Sequence, residues 1–369
     1  MTRVIFAGGG TGGHLYPGLA IARALVRARG SIEPFFIGAL RGIERDVLPA
    51  TEFPHLLLDL HPLYRSAVWN NWKTAVGAVT SWRRIGALTS QERPAVVVGT
   101  GGYAAGIMLA YSVVHGIPIV QQIGDSYPGL TARAFSRWTR EAYLNFPEAA
   151  RVLKAHHEGS LIDTGAPIES PPSPLPDRRA AREHWGFPPE GGRVLLVYGG
   201  SQGSLAINRA VAEWVQRGLP DDVFLIWGTG RTTHDQFKSL DGGRVRLRPY
   251  LSPIADAYAA ADLAISRAGA MTTAELFAWR IPAVLIPLPT AAADHQTTNA
   301  VTLERAGAAI HIPQSQLSVD RLEQVVGRLL ESPDELARLS AGAAARARPN
   351  AAADIAERIL VLIDTAAAV

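Results

Sequence analysis

The sequence has no cysteine, which excludes disulfide staples, thiolate zinc sites and cysteine nucleophiles together. A chain without disulfides suits a reducing compartment, so a cytosolic setting is the expectation. No uninterrupted apolar run approaches the roughly 20 residues needed to span a bilayer. The opening Val4-Ile-Phe-Ala7 reads as a strand rather than a secretory leader, so a soluble or peripheral protein is expected. Lysine is scarce (only Lys73, Lys154 and Lys238), and the basic charge is almost all arginine. With 47% hydrophobic and 19% charged residues the chain is too apolar for disorder, and 369 residues call for more than one core.

The charge is uneven: residues 1–165 carry a net +5 and residues 166–369 a net −2. A basic first half attracts an anionic membrane surface or a phosphorylated substrate. The plainer reading is a mild excess of arginine.

Apolar strand-like runs alternate with helical periodicity, the pattern of parallel α/β structure. Val4–Ala7, Phe35–Ile37, Ala95–Val98 and Pro118–Gln121 read as buried strands in the first half. Arg193–Tyr198, Val223–Trp227, Leu263–Ser266 and Ala283–Ile286 repeat the pattern in the second. A helix is expected over Pro17–Arg29, with Pro17 at its first position. The proline-dense Glu169-Ser-Pro-Pro-Ser-Pro-Leu-Pro176 can be neither helix interior nor central strand and reads as a linker. From about Ala341 the tail is alanine-rich, with Ala352, Ile355, Ile359 and Leu362 on one helical stripe. Both halves open on a strand and a glycine loop, which predicts two similar domains with a ligand cleft at the carboxyl ends of their strands.

Chemistry is expected in the loops. Gly8-Gly-Gly10-Thr11-Gly12-Gly13-His14 places backbone N–H groups at a helix N-terminus, where an anion is favoured. His14 and Leu15 stand where a P-loop needs Lys and Ser/Thr, and Ile37-Gly-Ala-Leu40 lacks the acid of a dinucleotide fold. His14 either accepts a proton from an attacking hydroxyl or fixes the loop through a carbonyl. Gly99-Thr-Gly101-Gly102-Tyr103 also follows a strand; it suits an acceptor's phosphates or is a plain turn. Ser201, in Gly199-Gly-Ser-Gln-Gly203, touches a diphosphate, caps the next helix, or does both. In Arg267-Ala-Gly-Ala270-Met271-Thr272-Thr-Ala-Glu275 the carboxylate suits a ribose diol, while Thr272-x-x-Glu275 is also a capping box.

These runs, with Arg41-Gly-Ile-Glu44, Pro128-Gly-Leu-Thr131 and Asp294–Ala300, resemble the MurG family of UDP-N-acetylglucosamine transferases across most of the chain. The resemblance implies a GT-B fold of two Rossmann-like doubly wound domains, with the C-terminal helix packing back on the first. It sets the domains at 1–165 for acceptor and membrane, 166–340 for the donor, and 341–369 for the helical tail. It implies inverting transfer from UDP-N-acetylglucosamine to the muramoyl 4-hydroxyl of lipid I, making lipid II for peptidoglycan, with no cofactor and no required metal. No nucleic-acid partner is implied. Carried over, Glu275 holds the ribose, Ser201 the diphosphate, the backbone at Leu251 the uracil, and Gln296 the sugar. Thr11, Gly12, Gly13, Arg267, Ala270, Met271 and Thr272 complete the donor set. Gly10, Thr11, His14, Gly101, Gly102 and Tyr103 meet the acceptor, and His14, Tyr103 and Asp125 are the candidate catalytic groups.

Two departures stand out. Where the family commonly has His-Glu-Gln-Asn, this chain reads Gln122-Ile123-Gly-Asp125. Where the family has Gly-Asn-Pro-x-Arg, it reads Gly165-Ala-Pro-Ile-Glu169, an acid beside a prospective diphosphate unless Arg267 or Arg231 compensates. These changes keep open another acceptor, or a UDP-sugar-binding subunit with little catalysis. Work on lipid I also implies the cytoplasmic face of the inner membrane. Trp69, Trp72, Val76 and Val79 share a helical face with Lys73 at its border, and Trp82, Arg83 and Arg84 follow. That segment is either interfacial or an ordinary core helix.

Overall fold

The computed structural model describes residues 1–60, 71–200 and 202–367, without the side chains of 71–76 and 367. It divides into two compact units, Met1–Glu169 with Asn350–Val369, and Ser170–Pro349.

The first unit alternates β1 (Thr2–Gly8), α1 (Gly12–Ala28), β2 (Ile32–Ala39), α2 (Glu44–Val47), β3 (His55–Leu58) and α3 (Asn71–Gln91). It continues with β4 (Val96–Gly101), α4 (Gly102–Val114), β5 (Ile119–Ile123), α5 (Leu130–Phe135), β6 (Thr139–Leu144) and β7 (Leu161–Asp163). The sheet is parallel, in the order β3-β2-β1-β4-β5-β6-β7. Central strands covered on both faces must be apolar throughout, and Val4–Ala7 and Val96–Val98 are fully buried. On one face Phe6 and Phe36 stack at 5.0 Å beneath Leu15, Leu19 and Leu25 of α1. On the other, Ile5 and Val97 meet Met108 and Leu109 of α4.

The second unit holds α6 (Arg178–His184), β8 (Arg193–Tyr198), α7 (Leu205–Arg217), β9 (Val223–Gly228), β10 (Val245–Arg248), α8 (Ile254–Ala260) and β11 (Leu263–Ser266). After these come α9 (Ala270–Ala278), β12 (Ala283–Leu285), α10 (His295–Arg305), β13 (Ala309–His311), α11 (Val319–Glu331) and α12 (Pro333–Arg346). Its parallel sheet runs β10-β9-β8-β11-β12-β13. Asp262, at the start of β11, accepts from Arg178, from Arg182 Nη2 at 3.1 Å and from the Val194 amide at 2.8 Å, tying α6 to the sheet. The last helix, α13 (Ala351–Ala367), lays Ile355, Ile359 and Ile363 into the α1 core of the first unit.

Two local expectations change. The helix expected from Pro17 begins at Gly12, because the glycine loop itself supplies the first turn and Pro17 lies inside. The alanine-rich tail is two helices, interrupted after Arg346, and only α13 joins the first unit.

Candidate functional site

In a doubly wound sheet the loops diverge where the strand order reverses, leaving room for a ligand at the carboxyl ends. In the first unit that point lies between β1 and β4, whose exits are the two glycine loops. The Gly9 amide donates to the Gly101 carbonyl at 3.3 Å, so the loops are bonded to each other. Gly9, Gly10, Gly101 and Gly102 have φ of 150°, 94°, 102° and 77°, values that side chains resist. The close approach also depends on missing Cβ atoms. One on Gly101 would stand 2.8 Å from His14 Cδ2, and one on Gly10 would stand 3.2 Å from Tyr103 Cε1.

His14 sits in the first turn of α1, half-buried, with Nδ1 3.1 Å from the Gly9 carbonyl and 3.3 Å from Thr11 Oγ1. A carbonyl only accepts, so Nδ1 carries the proton, and the neutral ring has its lone pair on Nε2. The loop-fixing and base readings of His14 are thus compatible, one on each nitrogen. Tyr103 is the second residue of α4, and Asp125 follows β5, the next strand over. Thr11 is the N-cap of α1 without a side-chain cap, and Gly12 and Gly13 form its first turn.

Beneath this loop lies Glu44, the acid that ends the Arg41-Gly-Ile-Glu44 run. Glu44 is fully buried and accepts from the Gly10 amide. Gly9, Gly38 and Gly42 pack so closely that a Cβ on any of them would overlap its side chain. Burial pushes the Glu44 carboxyl above the usual range, against the lowering effect of its backbone hydrogen bonds. An acid after a glycine turn was its only sequence signal.

The second unit repeats the arrangement between β8 and β11, paired from Leu263↔Leu195 to Ser266↔Tyr198. After β8, Gly200 and Gly203 take φ of 87° and 78°, and Gly203 donates to the Gly200 carbonyl at 3.0 Å. Ser201 lies outside the described residues. The cap of α7 is Ser204, whose hydroxyl accepts from the Ile207 amide at 3.4 Å. Buried Asn208 then donates to the Thr229 carbonyl at 2.7 Å and accepts from Trp227 Nε1 at 3.0 Å, bracing the loop against the end of β9.

After β11, Gly269 is the N-cap of α9, so Ala270, Met271 and Thr272 present the unpaired amides of its first turn. Thr272 is therefore the third helical residue, and the capping box expected with Glu275 is absent. Glu275 lies one turn on, half-buried, and accepts from Tyr258 Oη at 2.8 Å. Arg267 is buried, and its Nη1 donates to the Ile286 and Pro287 carbonyls at 3.0 and 2.9 Å. Desolvation lowers its pKa from the usual arginine value. It braces the loop after β12 through these carbonyls. Gln296 Oε1 accepts from the Leu288 amide at 3.0 Å, which turns its NH2 away from that loop. Asn299 reaches the Ala268 carbonyl at 3.3 Å, so the exits of β11 and β12 and the start of α10 form one bonded wall. Leu251 buries its side chain against Gly228, beside a cavity of about 380 Å³ that Trp185, Arg248 and Tyr250 also line. A second cavity, about 410 Å³, lies at the opposite ends of the strands, around Arg193, Asp262 and Pro282.

Elsewhere the expected site residues divide. Ile123 points into a cluster with Ala132, Ala142, Leu144 and Ala149. Trp69 is outside the described residues, as is the side chain of Trp72. Trp82 faces inward, edge-on to Tyr111 at 5.0 Å, so for this ring the core reading holds, while Val79 is exposed. Among the described residues no helix is long and apolar enough to cross a membrane.

Residues 4–144 match the glycosyltransferase family 28 N-terminal domain, and residues 194–359 match its C-terminal domain. A Salinibacter ruber protein is 41% identical over 98% of this chain and 97% of its own. One from Moorella thermoacetica is 38% identical over 98% of this chain and all of its own. Both are named UDP-N-acetylglucosamine--N-acetylmuramyl-(pentapeptide) pyrophosphoryl-undecaprenol N-acetylglucosamine transferase. The solved structure of Acinetobacter baumannii MurG superposes with a TM-score of 0.77 at 25% identity, covering 98% of this chain and 99% of that one. With two such domains in this order and relatives alike over nearly their whole length, the chain belongs to the MurG family of glycosyltransferase family 28 and has its GT-B fold.

Proposed function

We propose that the chain transfers N-acetylglucosamine from UDP-N-acetylglucosamine to the muramoyl 4-hydroxyl of lipid I, with inversion. The observation that carries this is the pair of glycine loops at the switch point of each sheet. Two separate anion sites suit a reaction between two diphosphate-bearing substrates. The full-length likeness to transferases named for this reaction supplies the substrates.

On this reading the first unit takes the acceptor, with the amides near Gly10, Gly12, Gly13, Gly101 and Gly102 around its diphosphate. The 4-hydroxyl oxygen attacks the anomeric carbon as the bond to the UDP β-phosphate oxygen breaks. His14 Nε2 accepts the hydroxyl proton, with Nδ1–H held on Gly9 so that the lone pair stays aimed. Tyr103 borders the same loop, and Asp125, after β5, offers a carboxylate from the neighbouring strand. In the second unit the first-turn amides of Ala270, Met271 and Thr272, with Ser201, meet the diphosphate. Glu275 takes the ribose hydroxyls, the backbone at Leu251 the uracil, and the Gln296 amide the sugar. Arg267 supports this wall from behind, through the carbonyls it bridges. Peripheral attachment to the cytoplasmic face of the membrane follows from a lipid-linked acceptor.

The test is release of UDP that requires both UDP-N-acetylglucosamine and a lipid I analogue. Turnover with water alone, or equally with an unrelated acceptor, rejects the assignment. The change at Ile123 favours one second reading, a UDP-sugar-binding subunit; calorimetric binding without turnover would support it.

A further inference from the structure

Behind Glu275 stand two buried phenols. Tyr258, on α8, donates to Glu275 Oε2 at 2.8 Å, and its hydroxyl lies 3.1 Å from that of Tyr198, the last residue of β8. A phenol carries one proton. Since Tyr258 spends its own on the carboxylate, Tyr198 is the donor at the Tyr198–Tyr258 contact. The hydrogen bonds therefore run one way, from Tyr198 to Tyr258 to Glu275, linking β8, α8 and α9. Burial, with the charge of Glu275 adding to it, raises both phenols far above their usual range, so each keeps its one proton. The Tyr258 ring is itself fixed by Trp279, tilted against it at 5.7 Å. A half-buried glutamate has three rotatable bonds, and one anchored oxygen removes most of that freedom.

We propose that Tyr258, backed by Tyr198, is a positioning residue that holds the Glu275 carboxylate in the orientation that receives the ribose diol of the nucleotide. The inference rests on the assignment of Glu275 to the ribose. Its role is preorganisation, so the orientation is set before the donor arrives.

The test is Tyr258→Phe, which keeps the ring and its packing on Trp279, studied by calorimetry with UDP and with 2′,3′-dideoxy-UDP. The expected result is UDP binding weaker by about tenfold, the scale of one charge-assisted hydrogen bond, with the dideoxy analogue bound as by the parent protein. In turnover, KM for UDP-N-acetylglucosamine rises by a similar factor, while kcat at saturating donor stays within about twofold. Tyr198→Phe shifts the same quantities less, in the same direction. In a Glu275→Ala background, Tyr258→Phe adds nothing. Equal loss for both nucleotides, or no loss for either, overturns the proposal, as does additivity with Glu275→Ala. If Glu275→Ala alone leaves UDP affinity unchanged, the ribose assignment itself fails, which separates the two outcomes.

Discussion

Gly101→Ala probes the acceptor loop with one methyl group. Gly101 has φ 102° and ψ −177°, a region open to glycine alone, so any side chain there strains the backbone by about 1–3 kcal/mol. The new Cβ would stand 2.8 Å from His14 Cδ2 and 3.1 Å from Nε2. Carbon atoms rest at about 3.5–4.0 Å, so the imidazole must retreat by about 0.7–1.2 Å. It cannot do so freely, because Nδ1 is held on the Gly9 carbonyl. A displacement of about 1 Å at a reacting group costs on the order of 100-fold in rate. Transfer to a lipid I analogue should therefore fall by about that factor, with a lower melting temperature. Affinity for UDP-N-acetylglucosamine should be unchanged, since the residues assigned to the donor's uracil, ribose and sugar lie in the other unit. The matched control is Gly30→Ala, where a Cβ meets nothing within 4 Å, and its rate should stay at the parent value. A Gly101→Ala enzyme with full turnover would refute the placement of His14 at the reaction, and loss of donor binding would move this loop to the nucleotide.

Three further outcomes follow from the same geometry. Glu275→Ala should weaken UDP binding by about 10- to 100-fold in calorimetry; no helix cap is lost, but the buried Tyr258 hydroxyl loses its acceptor, so stability should also fall, by about 1–3 kcal/mol. Glu44 has its pKa raised by burial, so its contribution to stability is full below the unfolded value of about 4.3 and is lost as pH rises through the folded one. Glu44→Gln, a neutral mimic of the acid form, should flatten that decline, and parallel urea midpoints from pH 5 to 8 for both proteins would refute it. Ile359→Ala, at a fully buried position of α13, should cost about 2–5 kcal/mol in denaturant unfolding of the first unit. Val361→Ala on the exposed side of that helix should stay within about 0.5 kcal/mol.

The interior of each sheet was legible, and its margins were not. All eight strands read from the sequence are present, and they include β1, β4, β8 and β11, whose exits frame the sites. A central parallel strand is covered on both faces and must be apolar without interruption, which makes it visible. The strands that escaped, β3, β6, β7, β10 and β13, lie at or next to an edge; all but β6 have only three or four residues, and polar residues such as Arg140 and Glu141 in β6, Arg246 in β10 and His311 in β13 break the apolar pattern. The glycine loops were equally plain, because a positive φ and a missing Cβ leave no other residue available. Their supports were hidden. Glu44 acts on Gly10 across 34 positions, and Tyr258 on Glu275 across 17, neither at a helical or strand spacing. The capping box misled for a related reason: Thr272 has the right residue three places on, but Gly269 starts the helix and moves Thr272 past the cap.

The two departures from the family pattern look most damaging to catalysis as sequence, and the fold gives each a local setting. Ile123 enters the apolar cluster under α5, so its substitution for an acid changes packing at the end of β5, while Asp125 remains two residues on. Glu169 closes the first unit near Arg23 of α1. That arginine is held above its usual pKa first by its hydrogen bond to Glu52, with the charge of Glu169 adding to the effect. Neither change enters the bonded pair of loops that aims His14, where Gly9 meets Gly101 and Glu44 holds Gly10. On the proposed reading of His14, the reaction's geometry depends on those glycines more than on the two positions where the chain departs from its family.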